Sequence, residues 1–120
     1  MKAAWYENIG AAAEVLQVGE TSDPTPNVGE VLVEIKSSGL NPSDVKTRAG
    51  ARGELQFPKV IPHSDGGGVI TAVGEGIDKS RIGERVWIWN GAFGRACGTC
   101  SEMIALPSGQ AVSLPEGTSF

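Results

Sequence analysis

Few residues in this chain are of a type that does covalent, redox or metal chemistry. Cys97-Gly98-Thr99-Cys100 is a CxxC pair, the arrangement of half a zinc site or of a redox dithiol. A closed zinc site needs a second such pair, or two histidines beside the first; the chain has two cysteines and one histidine in all. A redox dithiol of the thioredoxin kind opens a helix within a βαβ unit, whereas Ser101 to Leu106 reads as a strand. Two reduced thiols in a turn are therefore expected. The lone His63 is followed by Ser64 and Asp65, the composition of a hydrolytic triad. Neighbours in an extended segment point to opposite faces, so these three cannot pass a proton in line. The strained Gly-x-Ser-x-Gly turn is absent as well, which leaves His63 as a turn residue without an assigned role.

Gly66-Gly67-Gly68 invites comparison with a phosphate loop. Such a loop follows a strand, opens a helix and keeps the G-x-G-x-x-G spacing. Here the glycines lead into the β-branched run Val69-Ile70-Thr71-Ala72-Val73, so close backbone packing or a bulge is expected instead. Lys46, Arg48 and Arg52 form a small basic cluster in an acidic chain, read as a solvated helix face.

The elements that position these residues are mostly strands. Val31, Val33 and Ile35 alternate with Leu32, Glu34 and Lys36, a strand with one buried face. Val69–Val73, Arg85–Trp89, Met103–Leu106 and Ala111–Leu114 follow, each bounded by glycine or proline. Lys2–Tyr6 and Glu14–Val18 are weaker strand candidates. One segment has helix signals: Asn41 as cap, Pro42 at the first helical position, Asp44 in the first turn and Gly50 as the stop. Asp23–Asn27 reads as an exposed loop. The expectation is a mainly β domain, a barrel with one or two short helices.

Composition sets the outer limits. Seventeen of 120 residues are glycine, about twice the usual share, without the triplet period of collagen. Apolar residues make up 40% and charged residues 20%, which excludes a disordered chain. A net charge of −4 argues against nucleic acid and polybasic membrane partners. No apolar run is long enough for a membrane-spanning helix, and Met1-Lys2-Ala3-Ala4-Trp5 does not begin a signal peptide. With so few cysteines, a cytoplasmic setting is expected.

Three blocks then carry a resemblance over nearly the whole chain: Val31 to Asp44, His63 to Gly76, and Ile82-Gly83-Glu84-Arg85-Val86 with the later Gly98–Glu102 and Leu114–Gly117. Together they resemble the N-terminal, GroES-like catalytic domain of the medium-chain dehydrogenase/reductase superfamily, a partly open β-barrel spanning residues 1–120 here. Zinc members carry Gly-[Ile/Val]-Cys-His-[Ser/Thr]-Asp in the first block, where this chain has Gly39-Leu40-Asn41-Pro42-Ser43-Asp44. In the second block they carry Gly-His-Glu, where His63, Ser64 and Asp65 stand. An amide and a hydroxyl are poor zinc ligands beside thiolate and imidazole, so no metal site is expected.

The Asn-Pro pair resembles the zinc-independent quinone oxidoreductase branch, which includes zeta-crystallin-like enzymes. That resemblance implies NADPH as cofactor and a small quinone or enone as substrate. It places Asn41 against the nicotinamide and substrate, Pro42 and Lys46 beside the cofactor, and Ser64 and Asp65 beside the substrate. Lys46 stands where many relatives have an aromatic residue. The family's Rossmann domain would follow Phe120, so the expectation is a substrate-side half, inactive alone, of a protein that dimerises. The alternatives are a fragment of a zinc-type alcohol dehydrogenase and a free-standing GroES-like assembly module.

Overall fold

Period-two alternation builds the centre of the molecule. In the computed structural model, which describes residues 1–120, β3 runs Glu30–Gly39 and buries Val31 and Val33 completely. It pairs antiparallel with β4 (Asp65–Val73) on one side and β6 (Met103–Pro107) on the other. β5 (Arg85–Ile88) and β7 (Ala111–Ser113) extend the sheet to the order β6-β3-β4-β5-β7. The inward residues of all five strands form one cluster: Val31, Val33, Ile70, Val86, Ile88, Ile104, Leu106 and Ala111. Burying each larger aliphatic member contributes about 1.5–3 kcal/mol.

A second, two-stranded sheet pairs β1 (Lys2–Trp5) with β2 (Gln17–Glu20). Isolated bridges tie it and its neighbours to the rest: Ala3 to Ser101, Tyr6 to Val60, and Ile61 to Cys97. No continuous ladder joins the two sheets, so the barrel is partly open, as expected for a GroES-like fold.

The expected helix is α2, Pro42–Arg48. Asp44 reaches back and accepts the Asn41 backbone N–H at 2.7 Å, the carboxylate half of a capping box. Gly50, at φ +86°, ends the segment in the left-handed region that glycine enters freely. The expected strand Glu14–Val18 requires correction. Ala12–Val15 is a single helical turn, α1, and the strand starts only at Gln17. Alanine-rich Ala11-Ala12-Ala13 favours helix, and pairing of Lys2 with Glu20 fixes the strand's far end.

The glycine run also sits differently. Gly66–Gly68 lie inside β4 rather than before it, opposite an irregular register in β3 between Ile35 and Ser37. A Cβ on Gly68 would fall 2.1 Å from the carbonyl oxygen of Glu34, so close backbone packing is the reason for glycine there.

Candidate site at the head of α2

The junction of β3, α2 and β4 gathers most of the residues singled out above. β3 ends at Gly39, opposite Asp65 in the ladder, and Asn41 follows at the head of α2. The Asn41 side-chain amide donates to the Asp65 carboxylate at 2.6 Å. Asp44 holds the junction from below: one carboxylate oxygen accepts the Asn41 N–H, and the other accepts the His63 N–H at 3.2 Å. A single acidic side chain thus fixes both segments that lead to the site.

His63 is in this cluster too, which adjacency to Ser64 and Asp65 gave no reason to expect. Its backbone has φ +76°, a conformation costly for a residue with a Cβ. Its Nδ1 lies 2.8 Å from the Ser38 hydroxyl, which is 2.9 Å from the Thr99 hydroxyl. Thr99 is fully buried and donates to the carbonyl of Asp65 at 2.7 Å. Thr99 comes from the CxxC turn, whose backbone is tied down by Gly98 to Ile61, Thr99 to His63 and Cys100 to Pro62. The turn therefore has a structural part in the site. Its thiols are free, Cys97 exposed and Cys100 partly covered; burial foremost, with the Asp44 charge adding to it, pushes the Cys100 thiol up.

On the other flank of α2 lies a cleft of about 630 Å3. Ser43, Asp44 and Thr47 face it from the helix, Ser64 from the segment before β4, and Phe93 from the loop before the CxxC turn. Tyr6 lies at its base, almost wholly buried. Burial, and then the Asp44 charge, raises its phenol above the ordinary tyrosine value, with Arg48 opposing.

Of the five residues expected to form the site, Asn41 and Asp65 are brought together and Ser64 lines the cleft. Pro42 and Lys46 are exposed and do not line it. Ser38, His63, Thr99 and Tyr6 were not anticipated. Three of them come from segments distant in sequence from α2, and only the β-sheet register reveals that Ser38 and Gly66 are partners.

The donor set does not suit zinc. No group of three or more His, Cys, Asp or Glu side chains converges to hold a metal, and Asn41 is engaged with a carboxylate. The fit to a dinucleotide is partial: the chain offers a polar wall and a cleft but no strand, glycine loop and helix unit for a pyrophosphate.

Comparison with known proteins agrees with this architecture. The profile of the alcohol dehydrogenase GroES-like domain matches residues 27–116. An alcohol dehydrogenase of Moraxella sp. is 36% identical over 107 residues, covering 87% of this chain and 29% of that protein. The human synaptic vesicle membrane protein VAT-1 homolog is 32% identical over 105 residues, covering 88% of this chain and 25% of that protein. Among solved structures, the Escherichia coli quinone oxidoreductase complexed with NADPH superposes with a TM-score of 0.87 at 27% identity, covering all of this chain and 35% of that one. A quinone oxidoreductase of Pseudomonas syringae gives 0.85 at 29% identity, covering 99% and 35%. The chain thus spans about a quarter to a third of the proteins it matches. It belongs to the alcohol dehydrogenase GroES-like domain family, within the medium-chain dehydrogenase/reductase superfamily of oxidoreductases.

Proposed function

We propose that this chain is the substrate-side domain of a zinc-independent, NADPH-dependent oxidoreductase acting on quinones or activated enones. The observation that carries the reading is the Asn41–Asp65 pair. Where zinc relatives place a thiolate, this chain places an amide, and the amide is engaged by a carboxylate. Such a pair orients hydrogen-bonding groups and does not collect a cation. Likeness to two quinone oxidoreductases, one of them bound to NADPH, supports the same branch.

In this reading Asn41 presents its amide to the nicotinamide or substrate carbonyl, and Asp65 fixes the amide's rotation. Pro42 and Lys46 lie toward the cofactor, with Ser64 facing substrate in the cleft. The bound cofactor supplies the hydride; these residues position what receives it. A cytoplasmic, dimeric parent protein fits the same reading, with no metal, nucleic acid or membrane partner.

The test is NADPH oxidation by the full oxidoreductase with a naphthoquinone, beside metal analysis of the purified protein. Quinone-dependent NADPH consumption without bound zinc is expected. One zinc per chain, with turnover of a simple alcohol, would establish the alternative, a zinc-type alcohol dehydrogenase; the likeness to the Moraxella alcohol dehydrogenase supports only the alcohol substrate of that reading.

A further inference from the structure

Proton counting along the Ser38–His63–Thr99 chain fixes the state of the histidine ring. A hydroxyl has one proton to donate. That of Thr99 goes to the Asp65 carbonyl, which can only accept. The contact between Thr99 and Ser38 must then use the Ser38 proton, with Thr99 accepting. Ser38 has no proton left for His63, so its oxygen accepts from Nδ1. Neutral His63 is therefore the Nδ1–H tautomer, and Nε2 carries the lone pair.

Nε2 has no partner in the protein, and the one buried polar side-chain atom without a partner is Trp5 Nε1. Nε2 is thus open to solvent, on a residue that lies between Pro62 and Ser64, which line the cleft, and whose backbone N–H is held by the same Asp44 carboxylate that accepts from Asn41. The backbone around it is unusual. His63 occupies the left-handed region at the position where zinc relatives carry glycine. A residue with a side chain costs about 1 kcal/mol or more in that conformation, and here the ring is held by hydrogen bonds on one edge and free on the other. Strained backbone positions cluster at active sites and ligand clamps, and a hydrogen bond to one ring nitrogen of a histidine sets which tautomer the other nitrogen presents.

We propose that His63 is a ligand-binding residue whose Nε2 accepts a hydrogen bond from a hydroxyl group of the phenol or enol class, with Ser38 and Thr99 as positioning residues that set its tautomer. The choice of ligand class rests on the quinone reading, since a hydroquinone is the hydroxyl-bearing partner of that reaction. The tautomer does not rest on it.

His63 is the chain's single histidine, so a long-range proton–nitrogen NMR correlation of the nitrogen-15-labelled chain reports it without assignment. The expected neutral ring has Nδ1 protonated and Nε2 bare. Ser38→Ala removes the acceptor and should turn the ring to Nε2–H, while Ser38→Thr, which keeps the hydroxyl, should restore Nδ1–H. Thr99→Val releases the Ser38 proton toward Nδ1 and should also flip the tautomer; a merely structural threonine would leave it unchanged. If the valine variant does not fold, the wild-type and Ser38 spectra decide alone. Anaerobic titration with hydroquinone should move the Nε2 resonance saturably and leave Nδ1 in place, with roughly tenfold weaker binding in Ser38→Ala, the loss of about one hydrogen bond. An Nε2–H tautomer in the wild-type chain overturns the proton chain. An Nδ1–H tautomer with Nε2 indifferent to hydroquinone overturns the ligand assignment. Neither outcome depends on NADPH turnover, which tests the reductase reading separately.

Discussion

The two halves of β4 are built for different purposes. From Val69 to Val73 the strand is β-branched, and Ile70 is wholly buried in the core. From Asp65 to Gly68 it has almost no side chains, and the backbone of β3 comes within the space a methyl group would need. The aliphatic half holds the sheet by burial. The glycine half lets β3 and β4 approach closely, and that approach sets Ser38 and Asp65 beside Asn41, His63 and Thr99. Fold stability and site geometry thus share one strand but rest on opposite kinds of residue. The same sheet register carries both, so damage to either half should be separable by what it changes.

The largest expected effect is steric. Gly68→Ala puts a Cβ 2.1 Å from the Glu34 oxygen and 2.9 Å from its carbonyl carbon, both backbone atoms that cannot rotate away. A loss above ~4 kcal/mol is expected, in the range reserved for severe disruption. Ile70→Ala, in the other half, leaves a cavity in a packed core and should cost about 3 kcal/mol. Urea denaturation of the two variants orders them. If the alanine at Gly68 is the milder change, close approach is not what holds this half of the strand.

Gly66→Ala is the intermediate case. Its Cβ would meet the Ser37 carbonyl oxygen at 2.8 Å and Thr99 side-chain carbons at 3.2 Å. The Ser37 oxygen is backbone and cannot rotate away, but it lies 0.7 Å farther off than the Glu34 oxygen does at Gly68, so about 2–3 kcal/mol is expected, with the chemical shifts of Thr99 and His63 moving more than those of Val31 or Leu106. Uniform changes across the core would contradict the division of labour along β4. Asn41→Ala should be gentler still in stability, below ~1.5 kcal/mol, because the bond to Asp65 is exposed. Under the proposed function, Asn41→Ala should also lower quinone-dependent NADPH turnover roughly tenfold; unchanged kinetics would remove Asn41 from that role.

Much of this was legible in the sequence, and the gaps have physical causes. Alternation in Val31–Ile35 and the cap signals around Asn41 and Pro42 are local, and both elements lie where those signals point. Glu14–Val18 misled because Ala11-Ala12-Ala13 starts a helical turn that pairing with β1 then cuts short. The Asn41–Asp65 pair unites two residues marked separately by family register. His63 could not be found that way. Its partners Ser38 and Thr99 lie 25 and 36 residues away in the chain, and no periodicity links a strand end, a turn and a CxxC loop. The one available hint was a histidine in a glycine position, which reports backbone conformation before it reports chemistry.

The smallest effect concerns the charge that supports the aliphatic half. The Ile70 backbone bonds to Glu84 and Gly83, at 3.0 and 2.8 Å, so the turn before β5 is fastened to the middle of β4. The Glu84 carboxylate accepts from Arg81 Nε at 2.6 Å and from the Ser113 hydroxyl. The Arg81 hydrogen bond, with help from Ser113 and against some desolvation, holds its carboxyl below the ordinary glutamate value of 4.5. A carboxyl depressed in the folded state binds protons more readily once unfolded. Its contribution is therefore present above the ordinary value and lost as pH falls through the lower folded one. Glu84→Gln should leave the chain slightly less stable at about pH 7 and reduce the fall in stability toward about pH 3. The glycine half should be unaffected, with the His63 and Thr99 resonances unmoved in the variant. Equal acid sensitivity in wild type and Glu84→Gln would show that this ion pair does not support the aliphatic half. A shift at His63 would show that the two halves of β4 are coupled after all.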